Sequence, residues 1–244
     1  MRVAIGFLLL MGLCSGTARG QTTFQEQANR LQNINAFLLD FRPLLAPTNQ
    51  KRPELFVILE ANPQPSVDAR VGGKDEPLDP PSVVPKLRLR YATSSGLYLG
   101  GAYAPGIEFE DYKADFYSLE LGYRLTLDKF SLGLRLSTSD GDVEGPITES
   151  SAEDLFDFTN QTGEFNLGYQ HRKLFFYGFA GGISVDTELE IEEDGVLLKN
   201  DEDTYYGGLG IRYALGHKLA VIVEQNFTDD YLKHLSFGLS YRYK

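Results

Sequence analysis

Tryptophan is absent from this chain, and cysteine occurs once, at Cys14. Cys14 sits inside an N-terminal segment that reads as a leader. The chain left after its removal has no thiol, so a disulfide framework and a cysteine-based metal site are both excluded. Histidine is also scarce, with His171, His217 and His234 as the three occurrences. Beyond the leader no apolar run approaches the roughly 20 residues that a membrane-spanning helix needs. Positive charge is short as well: 23 Lys and Arg face 34 Asp and Glu, for a formal net charge of −11. Losing Arg2 and Arg19 with the leader makes it −13. That balance disfavours nucleic acid as a partner. No P-loop, GxSxG, HExxH or zinc-ligand spacing is present, and no cofactor is implied.

The leader itself is well formed. Met1-Arg2 is followed by an almost unbroken apolar run from Val3 to Leu13, then small residues to Ala18-Arg19-Gly20-Gln21. A basic start, a short apolar stretch and an A-x-G exit describe a secretory signal peptide over residues 1–20, cleaved before Gln21, with cleavage after Ala18 as the alternative. Leu13 is too bulky before Cys14 for a lipidation box.

What the sequence has in abundance is alternation. Leu235, Phe237, Leu239, Tyr241 and Tyr243 are separated by Ser236, Gly238, Ser240 and Arg242. A period of two places every large apolar side chain on one face of a strand. The pattern recurs in ten segments: Glu54–Ala61, Val83–Tyr91, Leu97–Ala104, Phe116–Leu125, Phe130–Thr138, Thr162–His171, Leu174–Val185, Thr204–Ala214, Leu219–Phe227 and His234–Tyr243. Each is about as long as a tilted strand crossing a bilayer.

The connections alternate too. Ala92–Gly96, Thr126–Lys129, Arg172–Lys173 and Leu215–Lys218 are short. Asn62–Ser82, Pro105–Asp115, Ser139–Gln161 and Asp186–Asp203 are long and rich in Asp, Glu, Gly or Pro, and Thr228–Lys233 is intermediate. Their acid clusters read as solvated loops and lack calcium-loop spacing. Strands that cross lipid must close into a barrel, because an open sheet leaves backbone groups unsatisfied. With the C-terminus placed in the periplasm, the alternation requires Glu54–Ala61 as the first ascending strand. The expected fold is all-β: an antiparallel up-and-down transmembrane β-barrel of ten strands, or eight if that first segment does not join, with both termini periplasmic.

Ahead of the barrel, Phe24, Ala28, Leu31, Ile34, Phe37 and Leu38 fall near helical spacing, and Pro43 and Pro47 end the pattern. An amphipathic helix is predicted over residues 23–41, within an N-terminal periplasmic unit and linker at 21–53 that precedes the barrel at 54–244. The helix can cap the periplasmic mouth, lie on the membrane or enter the lumen.

The export signal, the period-two strands and the C-terminal aromatic ladder together resemble the small bacterial outer-membrane barrels of the OmpA type. The resemblance covers Glu54 to Lys244 and is architectural. One departure is the terminus, Tyr243-Lys244, where such chains commonly end on an aromatic residue. The resemblance implies the bacterial outer membrane as location, outer-membrane lipid and lipopolysaccharide as surroundings, and the barrel-assembly machinery as a partner during biogenesis.

Two residue sets carry the functional expectations. Tyr91, Tyr103, Tyr117, Tyr123, Tyr169, Phe175, Tyr205, Tyr213, Tyr241 and Tyr243 are assigned to outward aromatic girdles at the two interfaces. Arg88, Arg90, Glu120, Arg124, Arg135, Glu164, Arg212, Glu224 and Arg242 are assigned to a lumen charge network, since a narrow barrel cannot leave such charges unpaired. Glu120, Glu164 and Glu224 are expected to meet Arg88, Arg135 or a nearby arginine. Other inward positions read as small or polar. The resulting expectation is a structural or surface-exposed barrel with a closed lumen and acidic outer loops. A narrow pore favouring small anions is the alternative, because Arg90, Arg124, Arg212 and Arg242 gather near the periplasmic mouth. An enzyme is not expected. The third reading, a rim protease, rests on His234 beside Asp229 and Asp230, whose order differs from the Asp-x-His of the omptin proteases.

Overall fold

The computed structural model describes residues 24–40, 44, 53–63, 83–109, 111–148, 153–191, 195–228 and 233–243. The leader and the pair Asp229-Asp230 lie outside the described residues. One helix, α1 (Phe24–Leu39), precedes ten strands: β1 (Glu54–Pro63), β2 (Val83–Ala92), β3 (Leu97–Phe109), β4 (Tyr112–Leu127), β5 (Phe130–Gly145), β6 (Asp154–His171), β7 (Leu174–Ile191), β8 (Val196–Ala214), β9 (Leu219–Thr228) and β10 (Lys233–Tyr243).

Each strand pairs antiparallel with its sequence neighbours, and β1 also pairs with β10, so the sheet closes. Ile58 stands opposite Arg88 of β2 and Ser240 of β10. The first strand is therefore part of the wall, and the eight-stranded alternative falls. Closure leaves no unpaired edge, which a sheet facing lipid requires.

The turns at one end are tight. Asp128 and Arg172 take left-handed backbone (φ 54 and 53), closing β4–β5 and β6–β7 in two residues each. Gly96 closes β2–β3 at φ 94, where a Cβ would stand 2.0 Å from the Arg124 carbonyl oxygen, so only glycine fits.

At the other end the wall is uneven. β1, β2, β9 and β10 have 10 or 11 residues, close to a bilayer's thickness, whereas β4 to β8 have 16 to 19. Most of Pro105–Asp115, Ser139–Gln161 and Asp186–Asp203, expected as acidic loops, is thus strand. The acids mislead because most of them occupy the outer face of strands. Asp186, Glu188 and Glu190 point outward while Thr187, Leu189 and Ile191 point inward and are buried. Polar-out and apolar-in is ordinary strand alternation in water.

Rows of cross-strand partners climb around this tall wall. The row through Tyr117 of β4 passes Asp140, Thr159 and Asp186 and reaches Asp201 of β8, four residues above the outward aromatic Tyr205. Such a climb is the stagger of tilted barrel strands.

α1 lies inside the barrel. Ala28, Leu31, Ile34, Ala36, Phe37, Leu38 and Leu39 are buried, and so are Gln32 and Asn33. It packs against β6, β7 and β8. The lumen is thus its position among the three open to it, and the helix from Ala28 to Leu39 packs in the barrel interior, not in a separate periplasmic unit. Its direction follows from its bonds: Asp40 meets Ser139 of β5, Ala36 meets Asn160 of β6, Gln32 meets Thr187 of β7, and Asn33 meets Asn200 of β8. These wall residues follow the rising row, so the helix climbs toward its own N-terminus. Phe24 is directed to the tall rim, whereas Tyr243 ends beside the short turns.

Candidate functional site: the plugged lumen

The lower lumen is ionic. Glu120 accepts from Arg90 Nε at 2.6 Å and Arg90 Nη2 at 2.9 Å, from Arg135 Nε at 2.8 Å and from Arg88 Nη1 at 3.4 Å. Arg88 also contacts Glu60 at 2.7 Å, and Arg135 reaches Glu164 at 3.7 Å. Three arginines and three carboxylates form one neutral, buried set. The 3.4 Å and 3.7 Å pairs are the loose members. Neutrality here matters more than any one pair, because a lone buried charge costs several kcal/mol.

The remaining network candidates separate from this set. Glu224 accepts from the Tyr177 hydroxyl at 2.7 Å. Tyr177 is inward on β7 and within its reach, while the arginines nearby converge on Glu120. Arg124 lies 5.9 Å over the Phe175 ring. Arg242 contacts Glu54 at 3.2 Å and donates to the His217 carbonyl. Arg212 is half-buried at the same end. Glu60 belongs to the neutral set although sequence reasoning omitted it. Its inward parity, shared with Phe56 and Ile58, was the available signal.

One side of the lumen is aromatic, from the turn end upward. Phe175, Tyr177, Phe179 and Tyr206 form a column with ring centroids 5.9, 6.3 and 6.2 Å apart, and Phe37 of α1 joins Tyr206 at 6.0 Å. These large inward aromatics stand beside the small and charged inward residues, Gly208 and Gly210 among them. Glycines make the room: a Cβ on Gly210 would lie 2.1 Å from the Tyr177 ring, and one on Gly208 2.2 Å from Phe179. A glycine facing a large inward residue on the next strand was readable in principle, given the register.

The helix is keyed into this interior at its C-terminal end. Lys86 Nζ donates to the carbonyls of Leu38, Leu39 and Asp40 at 3.3, 3.1 and 2.8 Å. Those carbonyls have no partner within the helix, and a buried ammonium at the negative helix pole satisfies them. Arg90 Nη1 holds the Leu44 carbonyl at 3.0 Å, fixing the chain below the helix. Asn33 donates to Glu202 at 2.5 Å and accepts from Asn200 at 2.7 Å near the tall rim.

His234 faces the lumen and is buried, with Nδ1 3.5 Å from Ser236 Oγ. Asp40, Leu44, Glu60, Asn62, Glu224, His234 and Ser236 enclose a cavity of about 10 Å³, the space of one water. His171 and His217 are exposed beside the short turns.

On the outer face, Tyr91, Tyr103, Tyr117, Tyr123, Tyr205, Tyr213, Tyr241 and Tyr243 are exposed, and Tyr169 is half-buried against Phe130 at 5.1 Å. Phe175 is the correction: it is 1% exposed and inward. Tyr169 stands opposite Phe176, so Phe176 takes the outward place and Phe175 the lumen. Between the two aromatic levels lie exposed Leu89, Leu99, Leu119, Leu121, Leu134, Leu167, Leu209, Ile211, Val223 and Leu239. A contiguous apolar surface of that extent is not that of a soluble monomer.

Above the upper aromatic level the outer face turns acidic. Asp115, Asp142, Asp157 and Glu188 are successive cross-strand partners, with Lys199 at the end of the row. Partial burial, then neighbouring acids, raises both carboxyls above the usual aspartate range: Asp157, Asp115 and Glu144 act on Asp142, and Glu188, Asp140 and Glu190 on Asp157.

No family model matches the chain, and no curated protein does. Among solved structures, the attachment invasion locus protein Ail of Yersinia pestis aligns at 10% identity over 78% of this chain and 97% of its own, with TM-score 0.39. The translocator domain of autotransporter NalP from Neisseria meningitidis aligns at 12% identity over 89% and 94%, with TM-score 0.40. Neisserial surface protein A aligns at 9% identity over 78% and 93%, with TM-score 0.32. The class is read from the chain's own barrel: closed, antiparallel, ten-stranded and apolar outside, the architecture of the small bacterial outer-membrane barrels.

Proposed function

We propose that this protein is an integral outer-membrane barrel whose lumen is kept shut and whose working surface is the tall acidic wall facing outside. The observation that carries the reading is α1 in the lumen, latched by Lys86 and seated above the Glu120 cluster. The apolar outer belt between aromatic levels supports residence in lipid, and the leader supports export. Short turns face the periplasm in this reading, and the outward acids stand among the headgroups of the outer leaflet.

Conductance in planar bilayers tests it. The intact chain is expected to be silent, and a variant lacking residues 24–40 to conduct. Arg124, Arg212 and Arg242 at the turn end give that opened variant a preference for anions. Reproducible conductance from the intact protein would overturn the closed lumen. A mature chain that is soluble and monomeric without detergent would overturn the membrane assignment.

A further inference from the structure

The helix runs the opposite way from what two periplasmic termini require. Tyr243 of β10 ends beside the short turns, and the chain re-enters the wall at Glu54 on that same level, opposite Ala92. From there the described residues go upward through the lumen in reverse sequence. Leu44 is held by Arg90 low in the barrel, Asp40 meets Ser139, and Asn33 meets Asn200 and Glu202 near the tall rim. Nine further residues separate Asn33 from Phe24. At about 1.5 Å per residue they carry the helix roughly another 13 Å in the same direction. Burial changes along the way: Ile34 is 4% exposed and Phe24 47%. Gln25, Glu26 and Arg30 are exposed as well, and the Gln25 amide is used by Asn29 of the helix itself. The helix thus leaves the barrel at its N-terminal end, through the mouth that carries the acidic wall.

We infer that the barrel threads its N-terminal segment through the lumen and displays the Phe24 end on the outer surface, with α1 as the stalk. The display role explains three features together. A helix that served only as a plug needs no solvent-exposed turn above the seal. The latch sits at the helix C-terminus, so tension on the displayed end is borne by Lys86, Ser139 and the neutral arginine cluster below. The tall wall of β6, β7 and β8 shields the stalk on the side where it emerges.

The inference rests on the outer-membrane reading, and accessibility in intact cells separates the two. In a Cys14→Ser background the full chain carries single substitutions Gln25→Cys, Lys199→Cys or Lys218→Cys, all at exposed positions. A membrane-impermeant maleimide is applied to whole cells before and after the outer membrane is permeabilised. Gln25→Cys and Lys199→Cys are expected to label fully in intact cells with no gain on permeabilisation. Lys218→Cys, at the short turns, is expected to label only afterwards. Labelling of Gln25→Cys only after permeabilisation, with Lys199→Cys labelled before, overturns the display inference and leaves the barrel in place. Lys199→Cys that needs permeabilisation overturns the orientation, and the inference with it. Protection of Gln25→Cys in both states also overturns it, because the helix end is then enclosed.

Discussion

Lys86 Nζ stands 2.8 Å from the carbonyl oxygen of Asp40, and the same ammonium reaches the carbonyls of Leu38 and Leu39. One side chain of the wall therefore closes the end of the lumen helix. Lys86→Met keeps an unbranched side chain one atom shorter and removes the charge and all three donors. A charge at a helix pole in a partly buried setting is worth up to about 2 kcal/mol, or a ~30-fold change in the opening equilibrium. The variant is expected to show brief conductance steps where the parent is silent, and faster amide exchange across α1, with the barrel strands unchanged.

Glu120 is the hub of the arginine cluster, and Glu60 and Glu164 are its periphery. Glu120→Gln keeps the shape and strips the carboxylate from Arg88, Arg90 and Arg135 at once. Breaking a buried pair by removing one partner costs about 3–5 kcal/mol. The expected result is a lower urea midpoint for loss of the fast-migrating folded band on unheated gels. Glu164→Gln, which loses one 3.7 Å contact to arginine, is expected to cost clearly less.

The fold was legible in the sequence because two independent periodicities agree: alternation within strands and alternation of connection length. The site was legible in part. Inward parity brings Arg88, Arg90, Glu120 and Arg135 to the inner face of β2, β4 and β5, and Gly100 of the intervening β3 leaves the Glu120 carboxylate its room. Phe175 was misplaced because a two-residue turn at Arg172-Lys173 fixes the register, and a slip of one residue reverses every side chain. The helix was found but not located. Gln32 and Asn33 give it a mixed surface that suits water as well as a polar lumen, and only the wall's Thr187 and Asn200 decide between them. The clue available was the wall: inward Phe156, Phe158, Ile183, Val185 and Leu189 are apolar and need a cover.

Gly210 and Tyr177 face each other across β7 and β8. A methyl group on Gly210 would fall 2.1 Å from the ring and 2.4 Å from the hydroxyl that Glu224 holds. Gly210→Ala must push the ring aside, and overpacking of this kind costs about 1–3 kcal/mol. In a Tyr177→Leu background the same substitution is expected to cost much less. The coupling in a double-mutant cycle, read from urea midpoints, measures the contact. Additive effects would show that the ring already has room to move.

Asp157 has Asp142 on one side and Glu188 on the other, at the same level of the tall wall. Partial burial, then the charges of Glu188, Asp140 and Glu190, raise its carboxyl above the ordinary aspartate range. A raised carboxyl binds its proton more tightly in the folded wall than in the unfolded chain. Its contribution is therefore present below the ordinary aspartate range and is lost as pH climbs through the raised value. The wall is expected to be firmer in mild acid than at neutral pH, the reverse of the usual acid lability of paired carboxylates. Asp157→Asn removes the titrating carboxyl, so the variant should exceed the parent at pH 7 and lose that advantage in acid. The group is mostly exposed, so screening keeps the gain below about 1 kcal/mol and salt diminishes it further. Amide exchange of the upper halves of β5, β6 and β7, measured across pH for both proteins, checks the sign. Faster exchange in Asp157→Asn at neutral pH would mean that the carboxylate is stabilising there.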